Sequence, residues 1–147
     1  MDLDKTDAAI LGVLEKNARL SLRKVAVKVG VSVATVMHRL LRLESEGVVR
    51  GYSVVVDSQK LGYDLQAITS LIVSKGKLFE VEKKIATHPN VMAVYDVTGS
   101  FDVIVISRFK NRKSLDAFIK KIQTYDFVEK TETMLVLNTI KEGPLAV

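Results

Sequence analysis

The chain has 147 residues, no Cys and no Trp, 48 % hydrophobic and 27 % charged residues, and a formal net charge of +5. That composition suits one ordinary domain or two small ones, lies far from the signature of disorder, and excludes disulfide frameworks, thiolate metal sites and Cys nucleophiles. No apolar run approaches the roughly 18 residues that span a bilayer, and the charged start Met1-Asp2-Leu3-Asp4-Lys5 lacks the apolar core of a signal peptide, so a cytoplasmic protein off the membrane is expected.

The first 47 residues predict three helices. Asp4 is placed to cap the first, whose apolar positions Ala8, Ile10, Leu11 and Leu14 keep helical spacing until about Asn17. Ser21 caps the second, which carries Leu22, Val25, Ala26 and Val29 and ends at Gly30. Ser32 opens the third, with Val36, Leu40 and Leu43 facing inward and Gly47 closing it. Two helices joined by a turn of about three residues containing Gly are the mark of a helix-turn-helix. The β-branched run Val48–Val56 predicts a strand or short hairpin. Asp57–Asp64 is polar, contains Gly62 and reads as a linker. The expected division is therefore a DNA-binding domain over 1–52, a strand and linker over 53–64, and a second domain over 65–147.

The second domain alternates strand and helix. Leu65–Val73, Val91–Val97, Asp102–Ser107 and Val128–Leu137 are β-like. Leu78, Val81 and Ile85 mark one intervening helix, and Leu115, Phe118, Ile119 and Ile122 mark another. A shift of 37 residues lays Lys83-Lys84-Ile85-x-Thr87 on Lys120-Lys121-Ile122-x-Thr124, and Val91 on Val128. Two such βαβ units make the ferredoxin-like βαββαβ plan, so the whole chain is read as α+β.

Charge is unevenly spread. Residues 1–60 hold ten Lys/Arg against seven Asp/Glu, and no acid occurs between Glu15 and Glu44. The third helix lies in that basic stretch. Ser32, Ala34, Thr35, His38, Arg39 and Arg42 lie off its inward stripe, where a recognition helix meets the major groove of double-stranded DNA. Arg grips guanine through two hydrogen bonds, Ala and Thr meet a thymine methyl, and Ser32 with the helix N-terminus suits a phosphate. In the second domain, Gly99 allows a ligand to approach the backbone, and Asp102 offers a carboxylate to an ammonium. Thr98, Ser100, Thr131 and Thr133 add hydroxyls, and Phe101 lies in the same turn. His38 and His88 fall in different predicted domains, which gives no support to a metal or catalytic histidine pair, and no phosphate-loop glycine motif is present.

The run Leu3-Asp-Lys-x-Asp7-x-x-Ile10-Leu11, Asn17-Ala-Arg19, Val25-Ala26, Val29-Gly-Val-Ser32-x-x-Thr35-Val36-x-x-Arg39-Leu40-x-x-Leu43-Glu44-x-x-Gly47-Val-Val-x-Gly51-Tyr52 closely resembles the Lrp/AsnC (feast/famine) transcription regulators. The second half resembles that family's effector domain, including its Gly-x-x-Asp turn as Gly99-Ser-Phe-Asp102. The resemblance implies a winged-helix-like DNA-binding domain, a homodimer built on the C-terminal sheets, and assembly to a larger oligomer such as an octamer. It also implies a small effector, commonly an amino acid, held between dimers near the turn, and no cofactor or catalysis. Val33 and Met37 stand where family members often carry polar residues or Pro, so no relative's sequence preference transfers. Two other readings stay open on the residues: an architectural protein that wraps DNA without an effector, and a haem-pathway decarboxylase of similar layout.

Overall fold

A computed structural model describes residues 2–143 of the chain. It divides between Val55 and Val56 into two units, the first also taking in residues 141–143.

The N-terminal unit is three helices: α1 (Lys5–Lys16), α2 (Leu22–Val29) and α3 (Val33–Ser45). Each starts where a side chain accepts orphaned backbone N–H groups. Asp4 Oδ1 accepts from the N–H groups of Thr6 and Asp7, and Asp7 returns a bond to the Asp4 N–H at 3.1 Å, closing a capping box. Ser21 and Ser32 cap α2 and α3 through Lys24 N–H and Thr35 N–H. Gly30, at φ 76°, ends α2 in the left-handed conformation that costs a side-chain-bearing residue most. The core is Ile10, Leu14, Val25, Ala26, Val36, Leu40 and Leu43.

Val48–Val56 corrects one expectation, because no strand or hairpin forms there. Val48 and Val49 donate to Leu43 O to finish α3, Gly51 turns the backbone at φ 152°, and Tyr52 donates back to Glu44. Val54 and Val55 are then 82 % and 94 % exposed, so no ladder partner rewards their β-propensity.

The C-terminal unit carries β1 (Leu65–Val73), α4 (Leu78–Ala86), β2 (Val91–Asp96), β3 (Val103–Phe109), α5 (Arg112–Gln123) and β4 (Val128–Leu135). The strands form one antiparallel sheet in the order β2-β3-β1-β4, which with its two helices is the expected ferredoxin-like plan. Both helices cover the same face. Val81, Ile85, Leu115, Phe118 and Ile122 pack on Ala67, Leu71, Val73, Val103, Val105 and Phe109. The internal repeat has a structural counterpart. Thr87 and Thr124 follow the two helices and donate to Lys84 O and Lys121 O, while Val91 and Val128 donate to the carbonyls of His88 and Tyr125.

Cross-strand partners point to one side of a sheet. Ile68 opposes Ile106 and Met134, and Ser70 opposes Ile104, on the face away from the helices. None of these residues belongs to the helix-side core. The chain entering the sheet is ordered by Asp57, which accepts from the N–H groups of Gln59 and Lys60, and by Arg108, which donates to Ser58 and Gln66. Among the described residues, no helix is long and apolar enough to cross a membrane.

Candidate nucleic-acid interface and effector turn

The inward stripe of α3, Val36, Leu40 and Leu43, leaves a solvent face on which Val33, Ala34, Met37, His38 and Leu41 are exposed. On α1, α2 and the link between them, Lys16, Arg19, Arg23, Lys24 and Lys28 are also exposed. The unit thus exposes both a set of cations and, on α3, a line of apolar side chains. Such a surface suits a polyanion whose grooves offer apolar edges.

The structure distributes the expected DNA-contacting residues unequally. Ala34 and His38 are exposed. Ser32 caps the helix and lies 2.8 Å from Thr35 Oγ1, so the two hydroxyls engage each other at the helix entrance. Arg39 and Arg42 are ion-paired. Arg39 Nη1 meets Asp4 Oδ2 at 2.5 Å and Asp7 Oδ1 at 3.3 Å, and Arg42 Nη2 meets Asp7 Oδ2 at 2.5 Å. The side chain of Asp7 is fully buried. One pair of carboxylates thus caps α1 and grips two arginines spaced one turn apart on α3. The backbone N–H of Asp7, with the Arg39 guanidinium behind it, holds the Asp4 carboxyl below its ordinary value, and Asp4 raises Arg39 in return. The sequence carried no local sign of this clamp, since its acids and bases lie 32 and 35 positions apart.

In the C-terminal unit the link between β2 and β3 is a tight turn. Val97 N–H donates to Asp102 O, and Asp102 N–H donates to Leu71 O. One Asp102 carboxylate oxygen accepts from Val73 N–H at 2.8 Å, which fastens the turn to the end of β1. Gly99 sits at φ +118° with no atom within 4 Å of the position a Cβ would take. Thr98, Gly99 and Ser100 are exposed, and Phe101 and Asp102 are half-buried. The turn therefore leaves open space beside Gly99, with Thr98 and Ser100 exposed on either side of it.

On β4, Thr131 pairs with Leu71, whose carbonyl accepts from Asp102 N–H, and Thr133 pairs with Thr69, two residues further from the turn. Thr131 accepts from Gln123 on α5, and Thr133 shares a hydrogen bond with Thr69 inside the sheet. The β4 residue that reaches the turn is Lys130, whose Nζ stands 5.5 Å from the centre of the Phe101 ring. Sequence reasoning passed over Lys130, because only the strand order places β4 near the turn. His88 has a packing role: its ring lies 4.8 Å from that of Phe118, its Nδ1 accepts from Asn90 N–H, and burial, with Lys121 nearby, lowers its pKa.

Comparison with known proteins agrees in both halves. The family described as Lrp/AsnC ligand binding domain matches residues 66–146, and that described as winged helix-turn-helix DNA-binding matches residues 3–50. An uncharacterized HTH-type transcriptional regulator of Pyrococcus abyssi is 42 % identical over 140 residues, covering 95 % of each chain. Among solved structures, Escherichia coli AsnC superposes with a TM-score of 0.92 at 27 % identity over the full length of both chains. The Neisseria meningitidis regulator NMB0573, solved as its L-Met complex, gives 0.89 at 27 % identity, covering 97 % of this chain and 94 % of that one.

Proposed function

Because this chain belongs to the Lrp/AsnC family of transcriptional regulators, we propose that it binds specific double-stranded DNA as a symmetric homo-oligomer and that an amino acid, bound at the Gly99 turn, modulates that binding. The chain is a helix-turn-helix regulator with an Lrp/AsnC ligand-binding domain. What supports the finer reading is one observation above all: an open, glycine-built turn beside a carboxylate and a lysine, on a fold whose Neisseria relative was solved with L-Met.

The chemistry of the turn matches a zwitterion. Backbone N–H groups at the turn and the Lys130 ammonium suit an α-carboxylate. Val73 occupies one oxygen of Asp102, and the other suits an α-ammonium. Thr98, Ser100 and Phe101 stand around the same space, whereas Thr131 and Thr133 act through the sheet that holds it. Dimers form through the apolar sheet face around Ile68, Ile104 and Ile106, and larger rings such as octamers follow from contacts between dimers. A dimer presents two recognition helices to one face of the duplex, about one helical turn apart.

Titration calorimetry with the twenty amino acids, followed by DNA binding with and without the best of them, tests this reading. Asp102→Asn keeps an oxygen for Val73 but loses the charge, and should weaken the effector by about 1.5–3 kcal/mol. Gly99→Val forces a β-branched residue into positive φ and fills the approach, and should abolish binding. Ligand-free DNA binding should survive both changes. Wild-type amino-acid affinity in both variants would refute the site.

A further inference from the structure

On α3 the exposed apolar residues form a line. Val33, Met37 and Leu41, at i, i+4 and i+8, are 42 %, 50 % and 58 % exposed, with Ala34 alongside. Eight residues of helix carry this ridge about 12 Å along the axis, the length of three or four base-pair steps. A helix that meets only water has no use for three large apolar side chains in register on its outer face. The two arginines that would otherwise read guanine are drawn to the flank by Asp4 and Asp7. The sequence that carries the ridge has no acid between Glu15 and Glu44, and the same unit exposes Arg23, Lys24 and Lys28, charges that suit a phosphate backbone.

The major-groove edge of a base pair carries one apolar group, the thymine C5-methyl. We infer that Val33, Met37 and Leu41 determine specificity by packing on thymine methyls, so that the central positions of each half-site are T·A pairs with the methyl towards α3. Arg39 and Arg42 are positioning residues: they fix the ridge relative to α1, and they do not read bases. This rests on the DNA-binding reading above and adds what the helix recognises. His38, exposed beside Met37, supplies the polar contact at the ridge's edge.

The experiment uses the full-length protein and a duplex selected by it from a random library, alongside the same duplex with deoxyuridine in place of thymidine. Uracil pairs as thymine does and lacks only the methyl. Each buried methyl is worth roughly 0.8 kcal/mol, so each contacted thymine should contribute about a fourfold loss of affinity on replacement. Met37→Ala, an exposed change that leaves the fold intact, should shrink the thymine-to-uracil ratio, since one partner of the contact is then gone. Equal affinity for both duplexes, with specific binding retained, would overturn the inference and leave the regulator reading standing. Failure to bind any duplex would remove that reading, and the inference with it. Loss of self-association in Met37→Ala and Leu41→Ala, with thymine discrimination unchanged, would assign the ridge to a contact between copies and likewise overturn it.

Discussion

Asp7→Ala is expected to destabilise the N-terminal unit by about 3 kcal/mol and to abolish DNA binding near its unfolding midpoint. Removing one partner of a buried ion pair costs roughly 3–5 kcal/mol, because the remaining charge is left without compensation. Here Arg39 keeps Asp4, only Arg42 loses its carboxylate, and the two arginine side chains are 27 % and 35 % exposed, so the ion-pair loss falls below that range, to about 2 kcal/mol. The variant also loses half of the capping box, worth about 1 kcal/mol in helix stability. A three-helix unit of this size stands near the low end of domain stabilities, so the loss is a large share of the total. Asp7→Asn, which retains the volume and one oxygen, should fall between the two. Thermal unfolding followed by circular dichroism measures this directly. A change below about 0.5 kcal/mol in Asp7→Ala would show that the clamp contributes nothing to the fold.

Ile106→Asp is expected to convert the proposed oligomer to a monomer at micromolar concentration. Ile106 lies on the sheet face away from the helices, directly across from Ile68 and outside the core. In the monomer a half-exposed position tolerates the change, since the carboxylate reaches water. In a face-to-face dimer it would bury an unpaired charge, at a cost of several kcal/mol. Sedimentation of the variant should give the mass of one chain, and its operator affinity should fall by about a hundredfold or more as one recognition helix is lost from each complex. An unchanged dimer would place the interface elsewhere on the molecule.

Much of the fold was legible along the chain, because it is set by residues within a few positions of one another. Asp4, Ser21 and Ser32 cap the helices they precede, Gly30 ends α2, and the spacing of Val36, Leu40 and Leu43 defines the buried face of α3. The repeat around Ile85 and Ile122 also stands in equivalent places on the two helices of the sheet. What was not legible depends on distant partners. The valines of Val48–Val56 have strand propensity, but a strand needs a neighbour. Arg39 and Arg42 stand in a run without acids, yet their acids come from the other end of the unit, so an apparently open cationic face is partly satisfied. Val33 and Met37, which looked like departures from a polar pattern, are exposed with Leu41 as an apolar line on α3. At the turn between β2 and β3, the Gly99 position was visible, but the fastening of Asp102 to Val73, the seclusion of Thr133 against Thr69 and the approach of Lys130 to Phe101 follow from strand order alone.

The central claim, that the chain is a sequence-specific regulator answering to an amino acid, is tested most directly by selecting duplexes from a random library with the full-length protein, in the presence and absence of mixed amino acids. Such a regulator enriches twofold-symmetric sites with half-sites about one helical turn apart, and its occupancy changes when the amino acids are added. Binding that is indifferent to sequence and to amino acids, and weakens only as salt rises, would contradict it.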